Sequence, residues 1–333
     1  MSLVSYITKL KRESYEITTD NPLLDAFDIE FCRLIDSTLE NCDFVRRKQK
    51  EIIKLLEGAS VEVDDKLKSA FDIYSELYNF FRLSEKVKIR PIKESKEKTP
   101  DFEVLSSNGQ KFFLEMKTVG FTGGNINYNK TIEDGLNAKI KIDEQIKQGR
   151  RIAMSETVIA PLRPLRKDKN YDPFSVKYFI ETLIEKIKQN IKTEQFVHGK
   201  TFLLIDLKLV VIPSSWEEAS IPIYPELRHF SLGSGVFWNI AFGVKGDKIF
   251  CPIEFKGKQN IEGELSNNGI LIEERNITAL CFRIYENNMN FLIGFGRQEE
   301  IEQCDILHSI CDFINDEKNS NGWKILRHIL QKG

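Results

Sequence analysis

Apolar positions along this chain change their period several times, and each change marks a predicted element. From a start at Asp64 and Asp65 to an end near Glu85, Leu67, Ala70, Phe71, Tyr74, Leu77, Tyr78 and Phe81 recur at helical spacing and form one stripe. Ile73, Phe80 and Leu83 add a second apolar side, which predicts a half-buried Glu76. A buried carboxylate needs a partner. Upstream, Asn21-Pro22 opens a predicted helix with Leu23, Leu24, Phe27, Phe31, Leu34 and Ile35 on one face, proline being tolerated in the first turn. A further helix is expected from about Asp43 to Glu57, ended by Gly58. Its Arg46-Arg47-Lys48 run reads as a solvated face.

Past residue 85 the period shortens to two. Residues 86–92 read as a strand, followed by a charged loop over 93–98. Asp101-Phe102-Glu103-Val104-Leu105 alternates polar and apolar. Residues 111–118 alternate loosely, with Phe112, Leu114 and Met116 on one face and Glu115 and Lys117 on the other. Ser107-Asn108-Gly109 lies between, and Asn-Gly is a strong hairpin signal. Loop length decides which faces meet, because a one-residue slip moves every side chain to the opposite face. A two-residue loop would set Asp101 opposite Met116. A three-residue loop with Gly109 in the left-handed region pairs Ser106 with Gln110 and Asp101 with Glu115. It also puts Phe102 and Val104 on the face of Leu114 and Met116, so burial selects the three-residue loop.

Residues 174–192 form an amphipathic helical pattern, and 201–212 an apolar run that reads as a buried strand. Beyond it, strands are expected over 236–243, 248–255, 269–284 (with a break) and 290–296, then helices over 299–315 and about 322–331. Trp216, Phe237 and Trp238 read as core or interface residues. The fold class is α/β with a mixed central sheet. The expected organisation is an N-terminal helical segment (1–64), a core (65–212) with a basic insertion at 120–170, and an α/β extension (213–333).

The hairpin carries the candidate chemistry. Pro100-Asp101 and Glu115-Met116-Lys117 bring two carboxylates and an ammonium onto adjacent strands. A hard cation such as Mg²⁺ takes oxygen ligands, uses one or two carboxylates and keeps several waters. Asp101 and Glu115 supply the carboxylates, and the Met116 backbone carbonyl is placed to add a neutral oxygen. Such an ion lowers the pKa of a bound water and neutralises charge on a phosphate. Lys117, two residues past Glu115, shares its face and could hold the water or pair with the phosphate. An E-x-K pattern alone is cheap: Glu254-Phe255-Lys256 repeats it, and Asp206-Leu207-Lys208 is close to it. Neither rival follows a hairpin strand headed by Pro-Asp.

On Pro100, Asp101, Glu115 and Lys117 the chain resembles the PD-(D/E)xK phosphodiesterase superfamily, over roughly residues 65–211. The resemblance implies a restriction-endonuclease-like core: helix, three antiparallel strands, helix, strand (α-β-β-β-α-β). It implies metal binding by Asp101 and Glu115, and water assistance by Lys117. Many members add a first-helix acid, for which Glu76 is the candidate and Glu85 the weaker rival. Many also use a Gln or Lys from the second helix, and Gln145 and Gln195 are both open. The implied function is Mg²⁺- or Mn²⁺-dependent hydrolysis of nucleic-acid phosphodiesters, by a DNA endonuclease of restriction, defence or repair type. The competing expectation is a catalytically silent protein that keeps the fold as a nucleic-acid- or partner-binding module.

Composition changes this picture little. A net charge of −2 gives no global basic field, so nucleic acid must be met by local patches. Lys139, Lys141, Lys147, Arg150, Arg151, Arg163, Arg166, Lys167 and Lys169 make one such stretch, suited to a phosphate backbone. Lys139, Lys147, Arg150 and Arg151 are its expected contacts. Six cysteines without C-x-x-C or zinc spacing read as buried thiols in a reducing cytosol. The absence of a leader pattern or an 18-residue apolar run points to a cytoplasmic protein without a membrane partner. A homodimer is left open. His198-Gly199-Lys200-Thr201 imitates the end of a Walker A loop but lacks the upstream glycine and precedes a strand.

Overall fold

The structure is a computed structural model that describes residues 2–16, 21–38, 42–59, 65–93, 99–106, 108–120, 128–155, 175–210, 227–228, 231–232, 236–251, 260–286 and 289–317. The chain forms two compact units: Met1–Tyr78 with Phe121–Lys169, and Asn79–Gly120 with Asn170–Gly333. The predicted helix over 322–331, Trp216, and the basic residues Arg163, Arg166, Lys167 and Lys169 lie outside the described residues.

The first unit is helical: α1 (Leu3–Glu16), α2 (Pro22–Asp25), α3 (Ile29–Thr38), α4 (Asp43–Glu57), the first part of α5 (Asp65–Ser84) and α6 (Tyr128–Lys147). The single helix expected after Asn21-Pro22 is instead two. Asp28 Oδ1 accepts the backbone N–H groups of Glu30 (2.8 Å) and Phe31 (3.4 Å). An aspartate that caps a fresh helix start outcompetes continuation of the helix before it. Leu34, expected on the buried face, is 45% exposed as a result. Asp36 accepts the backbone N–H groups of Leu3 and Val4, satisfying amides left open at the start of α1. Phe27, Phe31, Phe71 and Tyr74 make a cluster of edge-to-face and tilted rings with centroids 4.8–5.4 Å apart. Helix α4 ends at Gly58 as expected, but Lys48 is buried, not solvated.

The second unit is built on a seven-stranded mixed sheet. Its strands are β1 (Lys88–Pro91), β2 (Phe102–Leu105), β3 (Lys111–Thr118), β4 (Thr201–Asp206), β9 (Ile277–Glu286), β10 (Met289–Gly296) and β11 (Phe313–Asp316), in that order across the sheet. β1, β2 and β3 form an antiparallel meander, β4 runs parallel to both β3 and β9, and β10 pairs antiparallel with β9 and parallel with β11. The parallel step from β3 to β4 needs a long crossover. It includes α7 (Val176–Asn190), which starts where the Ser175 hydroxyl accepts the Tyr178 N–H at 3.0 Å. Every residue of β4 is buried, as its apolar run predicts. Each such Leu, Ile or Phe contributes about 1.5–3 kcal/mol of burial. Two small hairpins, β5–β6 (Leu227–Arg228 with Ser231–Leu232) and β7–β8 (Lys248–Cys251 with Asn260–Glu264), lie between β4 and β9 in the chain.

Three expectations beyond residue 213 are corrected. Val236–Phe242 is helix α8, not a strand. Its residues are buried nearly all round, so the apolar run carries no period by which to tell the two apart. The break foreseen within 269–284 is a short helix, α9 (Ile270–Glu273). The long helix expected over 299–315 is α10 (Gln298–Glu302), α11 (Asp305–Ile310) and then strand β11. There Asp312 exchanges two bonds with Leu292, its N–H donating to the carbonyl and its carboxylate accepting the N–H, both at 2.8 Å. That clasp holds the chain beside β10 as a strand.

Register assigns the faces. Glu115, Leu203 and Leu280 lie side by side, as do Lys117, Ile205 and Phe282, and Phe237 of α8 packs on Phe282. Phe102, Leu114 and Phe202 share the opposite face with Asp206 and Arg283, where Phe80 stacks on Phe102 at 5.6 Å.

Candidate functional site

The hairpin adopts the register that the three-residue loop requires. Phe102 faces Leu114, Val104 faces Phe112, and the Ser106 N–H donates to the Gln110 carbonyl at 2.9 Å. Gly109 has φ +82°, a conformation that costs other residues about 1–2 kcal/mol. One step beyond Phe102 and Leu114, the same register sets Asp101 against Glu115. Asp101 closes the end of the hairpin: its Oδ2 accepts the Met116 N–H at 2.7 Å.

Glu115 is wholly buried at the centre of the cluster. Its Oε1 receives both the Lys117 ammonium and the Gln195 side-chain amide, each at 2.6 Å. No hydrogen-bond donor reaches its Oε2. Burial pushes the Glu115 carboxyl above the ordinary glutamate range, while Lys117, Gln195 and the nearby Asp101 backbone N–H pull it back. Lys117 keeps 26% of its side chain exposed, so water reaches the cluster from its side.

Gln195 lies in a short 3₁₀ turn, Thr193–Phe196, between α7 and β4. The parallel β3–β4 pairing brings Thr201 beside Phe113 and so carries that turn to Glu115. Gln145, the other candidate, sits on α6 with its amide spent on the Met154 backbone, donating at 2.8 Å and accepting at 3.1 Å. Sequence alone left the two glutamines open; Gln195 is hydrogen-bonded to the candidate acid.

Glu76 belongs to the first unit, where its carboxylate meets the Lys48 ammonium at 2.8 Å, both side chains largely buried. That ion pair supplies a partner of the kind a buried Glu76 needs. Glu85, the weaker rival, is exposed and lies 3.9 Å from Arg82. Lys139, Lys147, Arg150 and Arg151 are all exposed, on or just after α6. Among the described residues, no three His, Cys, Asp or Glu side chains are grouped so as to hold a metal, and no helix is long and apolar enough to cross a membrane.

The donor set suits a hard cation in part. One carboxylate comes from β3 and one from the residue that leads into β2, and the unpartnered Glu115 Oε2 is the kind of buried oxygen that a cation satisfies. Compared with known proteins, the chain matches no family model, no curated protein and no solved structure.

Proposed function

We propose that this chain is a metal-dependent nuclease that hydrolyses nucleic-acid phosphodiester bonds, with DNA as substrate and a restriction-endonuclease-like core. The observation that carries the reading is the under-satisfied Glu115 carboxylate, flanked by Lys117 and Gln195 and in register with Asp101. The element order supports it: α5, the β1–β2–β3 meander, α7, then β4 parallel to β3.

Asp101 and Glu115 would hold Mg²⁺ or Mn²⁺, with the Met116 carbonyl as a neutral third oxygen; Glu76, engaged by Lys48, is left out of the set. The bound ion would supply Lewis acidity toward water and the phosphate. Lys117, the partly exposed member, holds its ammonium where a scissile phosphate can approach and offers a compact positive charge to its oxygens. Gln195 fixes the rotamer of Glu115 by donating to Oε1, so that Oε2 keeps one orientation. The exposed Lys139, Lys147, Arg150 and Arg151 would meet the phosphate backbone through a salt-sensitive attraction.

A second reading has its own observation. Glu115 is buried and already neutralised by Lys117 at 2.6 Å, an arrangement that suits a scaffold retaining the fold for binding alone. The test is to incubate the protein with supercoiled, linear and single-stranded DNA and with RNA, with and without Mg²⁺ or Mn²⁺. Cutting that needs the metal and is lost in both Asp101→Ala and Lys117→Ala supports the nuclease. Cutting retained in either variant defeats it. Calorimetric Mn²⁺ binding by wild type but not by Glu115→Ala separates the enzyme from the scaffold.

A further inference from the structure

A cavity of about 310 Å³ opens in the second unit, lined by Arg82, Leu83, Glu85, Lys86, Arg283, Asn290, Ile310 and Asp312. Arg283 is 94% buried, since only 6% of it meets solvent. Its side chain makes two hydrogen bonds, both to neutral amide oxygens: Nε to Asn79 Oδ1 at 2.5 Å and Nη1 to Asn290 Oδ1 at 2.8 Å. Among the described residues no carboxylate lies within ion-pair distance of it. Asp206, its neighbour in the register of β4 and β9, is held one residue away: the Asn79 amide donates to Asp206 and accepts from Arg283.

Buried guanidinium groups are normally paired with an anion. The other charges on the wall do not supply one. Lys86 takes Asp312 at 3.0 Å, and Arg82 and Glu85 stand 3.9 Å apart. These two pairs balance, so Arg283 is the charge left over. A guanidinium has five N–H donors in a planar fork. Two are used, which leaves three for an occupant. Such a fork fits the oxygens of a phosphate, with Arg82 placed on the same wall to share them. The volume is at the small end of ligand pockets.

We infer that this cavity is an anion site for a phosphate-bearing small molecule no larger than a mononucleotide, read by Arg283 and Arg82. It lies on the sheet face opposite Glu115 and stands independently of the nuclease reading.

The test is calorimetric titration of the full chain with inorganic phosphate and, separately, with adenosine 5′-monophosphate, each against matched chloride. Saturable binding is expected, weakened about tenfold by Arg82→Ala, the loss of one charge-assisted contact. Arg82 is half exposed and outside the Asn79–Arg283 bonds, so this variant keeps the fold. Arg283→Gln, checked for folding by circular dichroism, should abolish binding, and Glu115→Gln should leave it unchanged. Equal affinity for both ligands identifies a phosphate-only site, and tighter mononucleotide binding a site that also reads the nucleoside. Absence of saturable binding, indifference to Arg82→Ala, or loss in Glu115→Gln would each overturn the assignment.

Discussion

Two acidic side chains sit buried in neighbouring strands, each with a lysine two residues on: Glu115 in β3 and Asp206 in β4. Their sequence patterns are near twins, but their surroundings are not. Asp206 is provided for on both oxygens. Oδ2 accepts from Asn79 at 2.7 Å and from the Tyr285 hydroxyl at 3.2 Å, and Oδ1 accepts the Lys208 N–H at 2.8 Å. Lys208 itself turns to the Tyr285 ring, 4.5 Å from its centroid. Glu115 has two donors crowded on one oxygen and none on the other. A fully satisfied buried acid stabilises the fold, whereas a half-satisfied one costs stability and is tolerated where it has a use.

The largest way to test that contrast is Asp206→Ala. It strips the buried Asn79 amide and the Tyr285 hydroxyl of their shared acceptor, so unfolding free energy should fall by about 3 kcal/mol, read from urea midpoints. An Asp206→Ala midpoint equal to wild type would erase the distinction. Next in size is Gln195→Ala, which should lower metal-dependent cutting or Mn²⁺ affinity by about 10–100-fold, as loss of a ligand's supporting bond does. Gln145→Ala should leave both within about twofold. Equal losses would mean that the Gln195 contact has no special part.

Gly109→Ala comes third. A Cβ there would meet nothing within 4 Å, so only the backbone penalty of about 1–2 kcal/mol applies. A thermal melt should record it, without loss of the Asp101–Glu115 register. The subtlest is Glu115→Gln. A carboxyl raised in the folded state favours its protonated form, so its contribution is fully present below the ordinary value near 4.5 and is lost as pH rises through the folded value. The Gln variant should therefore be the more stable protein at pH 8 and lose that advantage toward pH 4. The opposite trend would show Glu115 to be a contented ion pair.

The Glu115 side of this contrast is legible in the sequence, and the Asp206 side is not. The hairpin register followed from one left-handed glycine and the need to bury Phe102, Val104, Leu114 and Met116 together. The end of α4 follows from Gly58, and the course of α5 from a long apolar stripe. What escaped was decided by distant partners. Lys48 looked like part of a solvated run because its counter-ion, Glu76, lies on a different helix. Gln195 had no pattern of its own; only the parallel step from β3 to β4 gives it Glu115. Asp206 was set aside as a cheap D-x-K, and nothing local announces that Asn79 and Tyr285 close around it. In α8 the apolar run was too uniform to carry a period.

Gln195 and Glu115 are 80 residues apart in the chain, whereas Asp101 reaches Met116 across 15. Pairing between distant segments pays a loop-closure penalty that a hairpin does not, so the carboxylates align early and their amide support arrives late. Pulse-labelled hydrogen exchange during refolding should find the Met116 amide protected before those of β4. A newly made chain would thus carry both acids in place while still lacking the clamp that orients one of them, and Glu115 would take its final orientation only when the crossover closes.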